Sequence, residues 1–463
     1  MTTVTLADPI YLDALGPRGA YRTRVPTSVK DVAGTEVARL SLVPPLFVTR
    51  AMAALRQAGP IPSADLDGLL AAAADVFASG TVGGLSVREY EQLVSRTSGT
   101  PLPVVRASTD GTARFVRQAR SSAWRGRPVG AAPGLHDSAV REGHAVWVRQ
   151  GDVFAVNASG NHPGVHRLWL EALALGYRVA VRPSRREPFT PYRLVGALHQ
   201  AGVRDDQLVL LPTDHRTADT VVRDADRALV YGGDDVVAKY ANDPGVLPQG
   251  PGRSKILITA DTDWRDHLDT IVASVADEGG TACVNATAVL FEGDPAPLAE
   301  AIATRLSALP SLPPQDERAV LPVCARERAH ALSAYLGTVA AGTRAWLGGD
   351  GIADDLGDGS AVLRPAVHQT DSADAVQLRS ELPFPCVWVA PWSRSDGIAP
   401  LRDTLVLSAL TRDAELLDTL LSEPTISNLY IGDQPTYWMA PGVPHDSYLS
   451  DFLMRSKAVF DAR

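Results

Sequence analysis

Cysteine is scarce in this chain. Cys283, Cys324 and Cys386 are the only three in 463 residues. They are odd in number and far apart, which argues against a disulfide framework and a Cys-x-x-Cys metal site; no metal is expected. No apolar run is long enough to span a bilayer. The opening MTTVTLADPIYLDALG lacks the basic and apolar regions of a secretory leader. Acids outnumber bases, for a formal net charge of -9, and no basic stripe suggests a nucleic-acid groove. The phosphate-loop pattern G-x-x-x-x-G-K-[ST] is missing, as are H-E-x-x-H and G-x-S-x-G. No G-x-G-x-x-G follows a strand, so a nucleotide site must hold its phosphates differently. With 45% hydrophobic and 21% charged residues, the expectation is a soluble cytoplasmic protein of two or three domains.

What is present is alternation. GDVFAVNAS, from Gly151, reads as a strand. NHPGVHRLWLEALALG follows as a helix, with Pro163 in its first turn and Gly176 at its end. YRVAVRPS is a second strand and TPYRLVGALHQAG a second helix, with Thr190 as its cap. QLVLLP, HRTADTVVRDAD and RALVYGG continue the pattern. Strand and helix at this spacing predict βαβ units and a parallel, doubly wound sheet, which binds ligands at the carboxyl ends of its strands. A second alternating block begins at SKILITAD, near Ser254, and the join falls near Gly250–Arg253. PLFVTRAMAALRQAG and DLDGLLAAAADVFASG read as helices. HAVWVRQ and SKAVF read as strands extending from the body. Residues 340–374, rich in Gly and Asp, read as loop.

Several residues invite a chemical reading, each beside a plainer one. Cys283 follows Gly279 and Gly280, which allow a tight backbone path. Its thiolate could attack a carbonyl, with its own N–H as an oxyanion donor; locally, a buried small side chain is the commoner outcome. Cys324 and Cys386 read as structural. Asn161 sits at a strand-to-helix turn and could donate to an oxyanion or cap the helix. His162 and His166 read as surface or cap residues. Arg182, Arg185 and Arg186 follow a strand end and could bind phosphate or form a solvated turn. Gly232 and Gly233 would admit a diphosphate, with Asp234 as a cap.

In this order the pieces resemble the aldehyde dehydrogenase superfamily, from about Gly151 onward and more weakly before. VNASGNHPGV is similar to the family's Pro-Asn turn, which puts Asn161 on the oxyanion asparagine. GYRVAVRPSRREPFTP resembles the strand ending in Lys-Pro-Ser-Glu that grips the adenosine ribose, implicating Arg182, Ser184 and Arg185. RALVYGGDDVVAKY sits at the Gly-Ser turn under the diphosphate, so Gly232 and Gly233 match there. LITADTDWRDHLDTIVASVADEGGTAC resembles the approach to the nucleophile, so Cys283 matches it. ELPFPCVWVAPW resembles Glu-x-Phe-Gly-Pro, which places Glu381, with Phe384, at the nicotinamide ribose. The resemblance implies an α/β fold: a Rossmann-type nucleotide-binding domain over 1–130 and 150–252, a catalytic α/β domain over 253–430, and small oligomerisation strands in 131–149 and 431–463.

Two departures shape the functional expectation. The family's Glu-Leu-Gly-Gly-Lys carries the glutamate that activates hydrolytic water. Here LPQGPGRSK puts Pro248 and Gln249 near that place, with no carboxylate. Gly-Pro-Gly is similar to the CoA-acylating branch, and YGGDD with GRSK to the fatty acyl-CoA reductases. The expected reaction is therefore reduction of an acyl thioester, carried by CoA or an acyl-carrier protein, to an aldehyde through a Cys283 acyl-enzyme. Aldehyde oxidation with a substitute base and a non-catalytic binding subunit are the alternatives. Glu278, the nearest carboxylate in sequence, reads as a bystander unless the fold aims it inward. Arg185 stands where many NAD-using members have an acid, which favours NADPH over NADH. Pairing through HAVWVRQ and the tail implies a homodimer.

Overall fold

The computed structural model describes residues 10–462, so the first nine residues of the stretch read for a leader lie outside the described residues. The first of two seven-stranded sheets sets Val246–Gln249, Arg227–Tyr231, Val153–Asn157, Arg178–Arg182 and Leu208–Leu210 side by side and parallel. The hairpin Ala14–Gly16 and Gly19–Tyr21 extends one edge antiparallel. Successive residues of Val153–Asn157 serve opposite faces. Phe154 and Val156 join one core with Phe77, Tyr90 and Trp169, while Val153 and Ala155 join another with Val48, Met52 and Leu55. Both faces are covered, so the strands read as continuous apolar runs rather than alternating ones.

Helices Pro45–Gln57 and Ser63–Ser79 form where the periodicity places them. Val87–Ser98 and Leu102–Arg125 are additions to the sequence reading. The longer one buries Leu102, Val105, Val116, Ala119 and Ala123, but Ser108, Thr109, Gly111 and Thr112 break that stripe in the middle. Thr190 is not a cap: it lies inside Phe189–Gln200, buried, with its hydroxyl 3.0 Å from that of Tyr90.

The chain leaves the first sheet at Gln249 and enters the second at Ser254, at the expected join. The second sheet runs Arg344–Leu347, Ala366–Gln369, Cys386–Pro391, Ala286–Phe291, Ser254–Ile258, Thr404–Leu410, Ile426–Ile431, parallel except for the first strand. Residues 340–374 are mostly loop and turn, as expected, but not throughout. They hold the strands Arg344–Leu347, Ala353–Asp355, Ser360–Leu363 and Ala366–Gln369, with Gly and Asp at the turns between them. HAVWVRQ and SKAVF pair with each other, His144–Arg149 antiparallel to Met454–Val459, with Ala131–Ala132 on the other side. Among the described residues no helix is long and apolar enough to cross a membrane.

Candidate active site

The first sheet has a switch point. From Val153–Asn157 the chain winds outward to Leu208–Leu210, then returns to Arg227–Tyr231 on the other side of its starting strand. Loops leaving the carboxyl ends of these two neighbours diverge and open a crevice, the usual ligand position in such sheets. Asn161 lies on one loop, Gly232 and Gly233 on the other.

Asn161 does not cap the turn that follows it. His162 does, its Nδ1 accepting the Gly164 N–H at 3.0 Å. The Asn161 amide donates instead to the Thr281 carbonyl at 3.0 Å, linking this turn to the loop of Cys283. A second N–H on the same nitrogen remains, at the wall of the cavity Asn161 lines. His166, read as surface or cap, is buried. Its Nδ1 accepts the Trp169 indole N–H at 3.2 Å, and burial lowers its pKa to about 3.

The approach to Cys283 is a left-handed run: Glu278, Gly279 and Gly280 have φ of 57°, 72° and 62°. A Cβ on Gly280 would lie 2.5 Å from the Pro385 ring, so glycine is needed for space as well as conformation. Asn285 fastens the loop. Its Oδ1 accepts the Ala282 N–H at 2.9 Å, and its Nδ2 donates to the carbonyls of Ser274 and Asp277. Gly252 packs against the loop so closely that a Cβ there would sit 1.8 Å from the Cys283 carbonyl oxygen. This gives a steric reason for the last glycine of Gly-Pro-Gly. The Cys283 N–H donates to no protein acceptor among the described residues and is available to an oxyanion.

The half-buried Cys283 Sγ lies 3.5 Å from His445 Nε2. On the far side, His445 Nδ1 is 3.5 Å from Asp446 Oδ1, an ion-pair separation. Asp446 Oδ2 accepts the Gln249 amide N–H at 2.8 Å. Burial disfavours a charged His445, but Cys283 and Asp446 overcome it and raise its pKa to about 10. Burial also opposes charge on Asp446, and His445 and Gln249 hold it below the usual carboxylate range. His445 lies 162 residues from Cys283, in the segment expected to serve oligomerisation. His-Asp adjacency was its only sequence signal, and spacing could not connect it to Cys283.

Glu278 is aimed inward. Its carboxylate meets His162 Nε2 at 2.7 Å. Because His162 Nδ1 is already an acceptor, Nε2 carries the proton and donates to Glu278. Burial opposes charge on Glu278, but His162 and the nearby Arg167 outweigh it, so its pKa is lowered. Cys324 and Cys386 are buried, and burial pushes both thiols up, in keeping with structural roles.

The residues matched to a dinucleotide divide into two groups. Arg182 is buried and committed: Nε donates to Thr213 Oγ1, Nη1 to Asn157 Oδ1 and Nη2 to the Thr213 carbonyl. It braces strand ends more than it faces a ligand. Ser184 Oγ accepts the Arg186 N–H, and Arg185 is exposed with no ion pair among the described residues. Gly233, not Asp234, is the cap residue of Asp234–Tyr240, and the Asp234 carboxylate pairs with Arg253 Nη2 at 2.6 Å. A Cβ on Gly232 would meet Val236 at 2.4 Å. Glu381 accepts the Arg253 N–H at 2.9 Å, while burial raises its pKa. With Phe384, Asn161 and Asn285 it lines a cavity of about 170 Å³. A half-buried carboxylate on the wall of this cavity suits ribose hydroxyls, so these residues fit a nicotinamide dinucleotide.

Solved structures share this arrangement of sheets. Indole-3-acetaldehyde dehydrogenase AldA of P. syringae, a point mutant in complex with NAD+ and IAA, superposes with a TM-score of 0.82 at 17% identity, covering 98% of this chain and 97% of that one. 1-Pyrroline-5-carboxylate dehydrogenase of Thermus thermophilus, also a point mutant, gives 0.81 at 17%, covering 97% and 93%. An E. coli NADP-dependent enzyme gives 0.80 at 16%, covering 97% and 98%. No curated protein matches the chain by sequence. At these identities the likeness shows the fold. The model of the aldehyde dehydrogenase family matches residues 88–404, more than half of the 463, and the chain belongs to that family.

Proposed function

We propose that the protein oxidises an aldehyde with a nicotinamide cofactor, through an acyl group held on Cys283 and released to water with His445 as the base. The observation that carries this reading is the 3.5 Å contact of Cys283 Sγ with His445 Nε2. It supplies the proton acceptor that Pro248 and Gln249 do not. The similar structures named as aldehyde and pyrroline-carboxylate dehydrogenases support oxidation over the thioester reduction expected from the missing glutamate.

In the free enzyme His445 is held as an imidazolium beside the Cys283 sulfur. The sulfur attacks the aldehyde carbon, and the second Asn161 N–H with the Cys283 N–H stabilises the oxyanion. The cofactor, when bound, supplies a hydride acceptor at this carbon. Glu381, Phe384, Gly232, Gly233, Ser184 and Arg185 would hold it. Once acylated, Cys283 carries no charge, the chief support of the imidazolium is gone, and the buried ring gives up its Nε2 proton to solvent. Neutral His445 then takes a proton from water as water attacks the thioester. The acid leaves and the sulfur recovers its charge. Asp446, braced by Gln249, keeps Nε2 directed at the sulfur.

A second reading, reduction of a CoA or carrier-protein thioester, is favoured by the absence of a carboxylate at Pro248. Product analysis separates the two. Oxidation predicts carboxylic acid from aldehyde and NAD(P)+ with no thiol added; turnover that waits on added CoA assigns the thioester route. Turnover that survives Cys283→Ala would refute both.

A further inference from the structure

The turn of Asn161 is tied to the loop of Cys283 twice, and the reaction as derived uses only the first tie, the Asn161 amide on the Thr281 carbonyl. The second joins the next residue to the same loop: His162 Nε2 lies 2.7 Å from the Glu278 carboxylate. The ring is engaged at both nitrogens. Nδ1 accepts the Gly164 N–H at 3.0 Å, which fixes the tautomer and leaves the Nε2 proton for Glu278. Glu278 holds φ of 57° and ψ of 20°, and Gly279 follows it in the same left-handed region. Glycine would adopt this backbone without the strain that a Cβ brings. The backbone therefore gives no reason for a glutamate at this place, and the reason lies in its side chain.

Arg167, from the same turn as His162, is the cation that faces this carboxylate. Its guanidinium is seated on helix Leu102–Arg125, with Nε 3.4 Å from Thr112 Oγ1 and Nη2 3.4 Å from Ser108 Oγ. A Cβ on Gly111 would come within 2.6 Å of Nη2. The small polar residues that interrupt the buried face of that helix are the seat of this side chain. A single hydrogen bond acts as a hinge. With Thr281 alone, the turn could pivot about the Asn161 amide and swing its second N–H away from the carbonyl. A second attachment one residue on removes that freedom, and an oxyanion donor acts best when its direction is fixed before charge develops.

We propose that His162 and Glu278 are positioning residues of the oxyanion site, their contact setting the direction in which Asn161 presents its second N–H to the reacting carbonyl. The proposal rests on the reading of Cys283 as the acyl carrier. Neither residue needs to touch the substrate; both act through Asn161.

Acylation by 4-nitrophenyl acetate tests this on the full chain without cofactor. The Cys283 sulfur attacks the ester carbonyl, the C–S bond forms and 4-nitrophenolate leaves, so the step needs the oxyanion site. Alkylation by iodoacetamide is a displacement at a saturated carbon and does not. Acylation is read as the first-turnover burst of 4-nitrophenolate that Cys283→Ala removes. Glu278→Gly, which suits the left-handed turn, should slow acylation about tenfold while alkylation stays within about twofold of wild type. His162→Asn, whose side chain can still accept the Gly164 N–H, should do the same. Glu278→Gln keeps an acceptor for Nε2 and should hold acylation within about threefold of wild type. Because each variant removes the same contact, His162→Asn combined with Glu278→Gly should be no slower than either alone. Acylation unaltered in Glu278→Gly, acylation and alkylation falling together, or losses that multiply in the double variant would each overturn the proposal. A wild-type burst with no acid formed from aldehyde and NAD(P)+ would refute the oxidation reading alone. Absence of any Cys283-dependent burst would refute the acyl-carrier reading and this proposal together.

Discussion

Replacing His445 by glutamine removes the cation beside Cys283 while keeping a side chain of similar reach. At the observed 3.5 Å a unit charge pair at an effective dielectric of about 20 is worth about 5 kcal/mol. Burial alone would favour the neutral ring, and Cys283 with Asp446 outweighs it, raising His445 from 6.5 to about 10. Not all of this reaches reactivity. A less stabilised thiolate is intrinsically more nucleophilic, which returns about half of the loss. The net effect is about 2–3 kcal/mol, or roughly a 50-fold slower alkylation at pH 5, where ionisation of the sulfur limits the rate. The assay is the iodoacetamide labelling rate of the native chain, read at Cys283 by peptide mass. Cys324 and Cys386 are buried and their thiols are pushed up, so they should not contribute. The wild-type advantage should shrink as pH rises, because the sulfur of the variant then ionises without help from a cation. Labelling of His445→Gln within twofold of wild type would refute the ion pair and the deacylation role built on it.

Gly252→Ala should abolish turnover while leaving most of the fold, because its Cβ would fall 1.8 Å from the Cys283 carbonyl oxygen; circular dichroism and activity measured together check this. Glu278 is depressed in the folded state, so its stabilisation is present above its unfolded value of 4.5 and lost as pH falls below it. Glu278→Gln should therefore cost about 1–2 kcal/mol at pH 7 and little at pH 3.5, by urea unfolding. Lys255 is buried and lowered to about 8 from 10.5, chiefly by desolvation. Between those values the unfolded chain binds a proton that the folded chain does not, so this residue should add stability with rising pH, by up to about 1.4 kcal/mol per pH unit. The urea midpoints of Lys255→Met should lack that slope. Arg185→Glu should weaken NADPH relative to NADH by tenfold or more, read as the ratio of dissociation constants. An unchanged ratio would show that Arg185 does not meet the 2′-phosphate.

The sequence determined the elements whose signal is local. Apolar runs bounded by Gly and Pro marked the parallel strands, and helices such as Ser63–Ser79 showed their periodicity. The short strands of 340–374 were hidden because their turns dominate the composition. Helix Leu102–Arg125 was hidden because Ser108, Thr109, Gly111 and Thr112 interrupt its buried face between Val105 and Val116. Cys283 and Asn161 were legible as a pair only through motif order; the bond that joins their loops, Asn161 to Thr281, spans 120 residues. Tertiary structure alone decided the partner of the thiol. Sequence showed that the usual glutamate was missing, but not that a histidine from the carboxyl-terminal segment stands against the sulfur. A contact between chain-distant groups leaves no periodicity or spacing in either segment. It exists because the last strand of the second sheet returns the chain past Cys283, with Asn428 on that strand bonded to the His445 carbonyl.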